Sequence, residues 1–267
     1  MSELDVIQKT KVPVTLSLLD RDFKKLGIDK GDIILVHSSL SAIGWVCGEE
    51  RTVIEALLAA VGDEGTVCMP AHSSGNSDPA GWANPPVPGE WNQVIYDSMP
   101  AYDPQITPTR GIGRIAEQFR SYPGTLRSNH PHTSFTANGK YAQEITEGHI
   151  LTPQFGMGSP LGMLYQLDAK VLLLGAAYAS CTCFHMGEVL CGKIPKVRQG
   201  AAMEVNGSRE WVWFDDYEYD NDDFILLGND FENEFEVIKE KAGNADCKLF
   251  GIRAAVDYAA KWLVKHR

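Results

Sequence analysis

Residues 32–70 read DIILVHSSLSAIGWVCGEERTVIEALLAAVGDEGTVCMP. Residues 32–37 form a short apolar run rich in branched side chains, which predicts a buried strand. Residues 51–61 carry a helical pattern, and residues 65–70 repeat the strand signal. Strand, helix and strand at this spacing predict a right-handed βαβ crossover and a parallel sheet. Upstream, residues 15–26 read as an amphipathic helix with Leu16, Leu19, Phe23 and Leu26 on its apolar stripe and Gly27 as its stop. Downstream, residues 170–175 (KVLLLG) read as another core strand. Helices are expected at 111–120, 138–147 and from Thr182 to residue 190. The chain is therefore read as α/β, with helices packed around a largely parallel central sheet.

The remaining stretches differ in character. Residues 73–108 are rich in Pro, Gly, Asn and Trp, and a loop of that length in a compact protein is usually functional or a lid. Residues 197–205 and 208–214 flank Asn206-Gly207, a strong β-hairpin signal. An acidic run at 215–223 follows, and helices are expected at 230–241 and 251–266. No linker divides the chain, so residues 1–267 are read as one domain carrying a hairpin and acidic segment at 195–225.

Composition narrows the function. The chain has 24 Lys+Arg against 35 Asp+Glu, a formal net charge of −11. That balance argues against nucleic acid, which demands a basic footprint, and suits a cationic ligand. No apolar run approaches the ~20 residues that span a bilayer, and the acidic start lacks the basic and apolar regions of a signal peptide. The expectation is a cytoplasmic protein, monomeric or homodimeric, that does not engage membranes. Six cysteines do not make a disulfide framework in a chain of this length. Cys181, Cys183 and His185 do not follow a usual zinc spacing, so no metal is expected. A Cys–His hydrolase using Cys181 or Cys183 has no local signature in its favour.

Five segments have the composition of a site. His37-Ser38-Ser39 with Gly44 follows the first strand, where loops at the carboxyl ends of parallel strands line the ligand crevice. Thr109-Arg110-Gly111 is read as a glycine-containing helix start suited to a phosphate, with neither P-loop nor Rossmann spacing. Arg127 to Phe135 gathers an arginine, two histidines and hydroxyls, including Ser134. In Thr182-Cys-Phe-His-Met-Gly-Glu188, Thr182 is read as an N-cap. His185 and Glu188 then share one helix face, which suits a general base and the carboxylate that orients it. Residues 214–224 interleave Asp215, Asp216 and Glu218 with tyrosines, a surface suited to a polyamine but without EF-hand spacing.

The order of these segments resembles the aminoglycoside 3-N-acetyltransferase family. The likeness runs through His37-Ser-Ser-Leu-Ser with Gly44, Met99-Pro-Ala-Tyr-Asp-Pro104, Thr107-Pro-Thr-Arg-Gly-Ile-Gly113 and Arg127-Ser with His130-Pro131 and Ser134. Ser159-Pro-Leu161 and Thr182-x-x-His185-x-x-Glu188 complete it, so that it covers about residues 15–265. The resemblance implies an α/β/α fold distinct from the commoner GNAT acetyltransferase fold. It also implies acetyl-CoA as co-substrate and the 3-amine of a 2-deoxystreptamine ring as acceptor. His37, Ser38, Ser39, Thr109, Arg110, Gly111, Arg127 and Ser134 are then expected around coenzyme A. His185 is the expected base and Glu188 its partner. Tyr102, Asp103, Glu188, Asp215, Asp216 and Glu218 are expected around the drug. Direct transfer is expected, with amides near Ser38 or Thr109 stabilising the oxyanion. The competing readings are acetylation of another small amine, or a non-catalytic antibiotic-binding protein. The Cys181/Cys183 pair and Ile112, where a methionine is common, depart from the family pattern.

Overall fold

The computed structural model describes residues 2–267. The decisive stretch forms β1 (Ile33–Ser38), a single turn α3 (Leu40–Ile43), α4 (Glu49–Val61) and β2 (Thr66–Pro70), preceded by α1 (Glu3–Lys9) and α2 (Leu16–Leu26). Thr15 caps α2 by accepting from the Leu18 amide, and Gly27 ends it at φ +89°. Leu19, Phe23 and Leu26 are buried, but Leu16 is 41% exposed. Asp22 is buried instead, where its carboxylate accepts from the Gly243 amide at 3.1 Å.

β2, β1 and β5 (Lys170–Leu174) lie side by side and parallel, with Ile34 opposite both Val67 and Lys170. This is the parallel centre that the crossover spacing predicts. Each side of it carries an antiparallel pair. β4 (Phe135–Gly139) and β3 (Leu126–Arg127) extend the β2 side, while β9 (Ala245–Gly251) and β8 (Ile238–Ala242) extend the β5 side. The single sheet thus has seven strands in the order β3-β4-β2-β1-β5-β9-β8.

Alternation along β1 feeds two cores. Ile34 and Val36 pack with Leu19, Phe23, Leu57 and Phe119 on one face; Leu35 packs with Leu164, Phe184 and Trp262 on the other. The first face is covered by α2, α4 and α6 (Arg114–Arg120). The second is covered by α8 (Pro160–Gln166), α9 (Cys183–Cys191) and α11 (Ile252–His266). The result is a three-layer α/β/α arrangement. No helix among the described residues is long and apolar enough to cross a membrane.

Three expected helices are corrected. Residues 230–241 are not one helix: α10 (Phe224–Glu234) ends before β8, which pairs with β9 through the tight turn at Gly243-Asn244. β8 is a sheet edge with Ile238, Lys239, Glu240 and Lys241 exposed, a charged edge that discourages further pairing. Residues 138–147 hold the end of β4 and then α7 (Ala142–Thr146). Residues 111–113 precede α6, because Gly111 and Gly113 sit at φ +78° and +87°.

β6 (Lys196–Val205) and β7 (Ser208–Tyr217) form the expected hairpin, with Asn206 and Gly207 both at positive φ in the turn. The long loop contains α5 (Asn92–Ser98) and is fastened to this hairpin. The Tyr102 amide and the Asn76 side chain both donate to the Ala202 carbonyl, at 2.9 and 3.2 Å. Tyr96 packs on Trp211 with ring centres 4.8 Å apart.

α9 and α11 approach closely at Gly187. A Cβ there would lie 2.6 Å from the Ala259 Cβ and 3.0 Å from the Ala260 amide nitrogen. Gly187→Ala is therefore expected to cost about 1–2 kcal/mol of stability, because overpacking against backbone outweighs alanine's better helix propensity. Urea unfolding would measure it; an unchanged or raised midpoint would contradict the close fit.

Candidate active site

A cleft of about 730 Å³ opens at the carboxyl ends of β1, β2 and β5. His37, Ser38, His72, Thr182 and His185 are among its lining residues. Two of its histidines stand just beyond or at the end of neighbouring parallel strands, His37 on β1 and His72 after β2. The third, His185, sits in the first turn of α9. Thr182 occupies the N-cap position without a side-chain cap bond, and its carbonyl accepts from the His185 amide at 3.1 Å.

The His185 ring is held on several sides. Phe155 stacks on it with ring centres 5.0 Å apart, and Tyr219 and Phe224 meet it at 5.5 and 4.8 Å. Its Nδ1 lies 2.5 Å from Glu188 Oε2. A carboxylate only accepts, so Nδ1 carries a proton, and in the neutral ring the lone pair is then on Nε2. The side chain is 17% exposed, and Nε2 has no partner among the described residues. This is the geometry of a general base backed by a carboxylate.

Glu188 is 0% exposed, and its other oxygen accepts from the Asp220 amide at 3.0 Å and from the Arg267 guanidinium. Both oxygens are occupied within the protein, which corrects the expectation that Glu188 also touches the drug. His37 is 6% exposed, and burial pulls its pKa down to about 3, with repulsion from His185 adding to the effect. Burial does the same to His72, also to about 3. The Nε2 atoms of both are buried without a partner among the described residues. Two neutral imidazoles therefore share the cleft with His185.

The other expected residues divide. Ser38, Ser39 and Gly111 line the cleft, and the Ser39 amide donates to the Leu174 carbonyl. Arg110 is exposed beside Gly111. Thr109 turns away: its amide and hydroxyl both donate to Glu117, at 2.9 and 2.6 Å. Those bonds and attraction to Arg120 outweigh burial and hold the Glu117 carboxyl down at about 2. Arg127 is not available to a phosphate, because its guanidinium donates to the carbonyls of Ala71, Pro104 and Thr107 and to the hydroxyls of Ser73 and Ser134. Ser134 in turn donates to the Ala71 carbonyl. This pair braces the long loop.

Among the expected drug contacts, Tyr102 is buried and donates its hydroxyl to the Ser128 carbonyl. Asp216 is buried and accepts from the Gln154 and Tyr217 amides at 2.9 and 2.8 Å. Both are satisfied by partners within the protein. One Asp103 oxygen accepts from the Gln105 amide, while Asp215 and Glu218 are exposed. The cleft also contains residues that sequence reasoning passed over. His72 follows its strand much as His37 ends the neighbouring one, and that parallel was a usable signal. Arg114 lines the cleft and is tied to Glu49 and Glu50. The Cys181 and Cys183 thiols are buried and 3.4 Å apart, and burial raises the Cys181 pKa.

The buried histidines make stability pH-dependent. His37 and His72 are pulled to about 3 and His149 to about 4, while His130 and His132 are also lowered, all chiefly by burial. The unfolded chain binds these protons near pH 6.5, whereas the folded chain does not until far lower. Stability is then fully present above that pH and falls as pH drops toward the folded values. Each such histidine contributes a slope of up to ~1.4 kcal/mol per pH unit. Urea midpoints should drop steeply from pH 7 to pH 5; a flat profile would contradict neutral burial.

A family model described as aminoglycoside 3-N-acetyltransferase matches residues 35–264. The SPbeta prophage-derived aminoglycoside N(3')-acetyltransferase-like protein YokD of Bacillus subtilis (strain 168) is 46% identical over 264 residues, covering 98% of this chain and 96% of that protein. Its crystal structure superposes with a TM-score of 0.97 at 45% identity, over 98% of this chain and 97% of that one. Aminoglycoside N(3)-acetyltransferase VII of Streptomyces paromomycinus is 33% identical over 285 residues, with 98% and 96% covered. The structure of AAC-IIIb as a binary complex with CoASH matches with a TM-score of 0.83 at 30% identity, over 96% of this chain and 98% of that one.

Proposed function

Because the chain belongs to the aminoglycoside 3-N-acetyltransferase family, we propose that it transfers an acetyl group from acetyl-CoA to the 3-amine of a deoxystreptamine antibiotic, with His185 as general base. The observation that carries this reading is the His185–Glu188 pair at the wall of the cleft, with Nδ1 given to the carboxylate and Nε2 left free.

The amine must lose a proton as it attacks the thioester carbonyl. Nε2 of His185 takes it, and Glu188 stabilises the imidazolium formed. His37 and His72 do not compete for that proton near neutral pH, because burial holds both neutral. The tetrahedral carbon then collapses, expelling the coenzyme A thiolate, which takes up the proton held by His185 and leaves as the free thiol. No enzyme nucleophile is needed.

His37, Ser38, Ser39 and Gly111 are the residues that would lie along the pantetheine arm, with Arg110 near the phosphates. Their support is a roomy cleft with small side chains at its wall, and a relative's structure in complex with CoASH. The oxyanion falls to the Leu40 and Ser41 amides at the start of α3, which have no backbone acceptor among the described residues. The Thr109 amide is already given to Glu117. Asp103, Asp215 and Glu218 are the carboxylates left for the drug's ammonium groups.

The test is free-thiol release from acetyl-CoA across deoxystreptamine drugs and simple polyamines, with mass analysis of each acceptor. Thiol release matched by acetylated drug is the expected result. Acetylated polyamine with untouched drug would replace the acceptor. Drug binding with no thiol release would replace the enzyme by a binding protein.

A further inference from the structure

The carboxylate behind His185 is not held by the histidine alone. The Arg267 guanidinium, one residue past α11, donates to Glu188 Oε1 through one terminal nitrogen. Its Nε and other terminal nitrogen grip Asp223 in a two-point contact of 2.8 and 2.5 Å. The same terminal nitrogen donates to the Asp220 carbonyl at 2.7 Å. The arginine side chain is 16% exposed and the Glu188 side chain fully buried, so solvent screens this row weakly. Attraction to Asp223 and Glu188 raises the arginine's pKa despite burial.

We infer that Arg267 is a positioning residue of the reaction: clamped by Asp223, it fixes Glu188 and sets how strongly the Glu188–His185 pair holds a proton. The inference rests on His185 being the base. Glu188, Asp223 and Arg267 together carry one net negative charge when ionised, which an imidazolium at His185 balances. The row is therefore neutral in the state that follows proton transfer from the amine. The guanidinium itself touches no substrate, since Arg267 is absent from the cleft wall.

The charge arithmetic has two signs. Removing the cation (Arg267→Met) leaves Glu188 with no cation but the imidazole and leaves the Asp223 charge uncompensated nearby, so the pair holds its proton more tightly. Removing the outer anion (Asp223→Asn) leaves the cation undivided on Glu188, so the pair releases its proton more easily. Other groups around the pair are unchanged in both variants: Tyr219 beyond β7, His37 on β1 and His72 after β2 near His185, and Asp220, whose amide reaches Glu188. The proton belongs to the pair as a unit, so its apparent titration is what shifts.

The test is an NMR titration of the His185 imidazole in the full-length protein without substrates, its signal identified by loss in His185→Ala. It is run beside kcat against pH. Arg267→Met should move the titration and the acid limb of kcat up by about one unit, and Asp223→Asn should move both down. Arg267→Lys, which keeps the charge and loses the two-point grip, should keep the limb near its original place while kcat falls about tenfold. KM for both substrates should stay within about twofold throughout, since the row lies outside the cleft. Shifts of the same sign in both variants, or no shift in either, would overturn the inference; general structural damage does not produce opposite signs. If Arg267→Met fails to fold, the direction of the Asp223→Asn shift decides. An unmodified protein that makes no acetylated product fails the acetyl-transfer reading instead, and the NMR titration still reports on the row.

Discussion

Replacing His185 with alanine is expected to lower kcat by about 10²- to 10⁴-fold while coenzyme A binding stays unchanged. In the proposed reaction the ring contributes its lone pair at Nε2, and no neighbour is placed to substitute for it. His37 and His72 share the cleft, but burial keeps their proton affinity several units too low for the role. Cys181 and Cys183 are buried, so neither thiol takes over. Pre-steady-state acetyl transfer with saturating drug measures the loss directly. A folded His185→Ala protein that turns over normally would remove the histidine from the mechanism. Acetylated Cys183 trapped without drug would replace direct transfer by a covalent path.

Glu188→Gln should damage both stability and rate. The amide keeps the shape of the side chain but removes a buried negative charge. Arg267 then keeps only Asp223 as an ionic partner, and breaking one side of a buried pair costs about 3 kcal/mol. The imidazolium also loses its carboxylate, which in comparable dyads lowers kcat by up to about 10⁴-fold. Coenzyme A affinity should change little, because Glu188 lies behind the histidine rather than along the cleft wall. Urea unfolding and single-turnover kinetics on the same sample separate the two losses. Full activity in a destabilised protein would make Glu188 purely structural.

Much of the fold was legible because its signals are local. The apolar run of β1 and β2, the helix between them and the Asn206-Gly207 turn each state their conformation within a few residues. The His185–Glu188 pair was legible for the same reason, as a spacing of three on one helix. β8 was not. Ile238-Lys-Glu-Lys-Ala242 is built of residues that helices accept, and it is a strand only because β9 offers it a partner.

Long-range partners hid the rest. In sequence, Arg127 is a free cation suited to a phosphate. In the fold, carbonyls and hydroxyls from residues 71 to 134 consume its donors. Asp216 and Tyr102 looked like ligands of a polyamine for the same reason, and both are satisfied inside the protein. Arg267 stands 79 positions from Glu188, and no spacing rule connects them. Asp215 and Glu218 differ from these in being exposed, so no partner inside the protein accounts for them.

The most direct measurement is the position of the acetyl group on the product. Purified protein, acetyl-CoA and a deoxystreptamine drug are incubated, and the product is resolved by two-dimensional NMR. The expected result is a single amide at the 3-amine, formed with one coenzyme A thiol released per drug acetylated. An unmodified drug, recovered from protein that binds both coenzyme A and the drug, would contradict the proposed reaction.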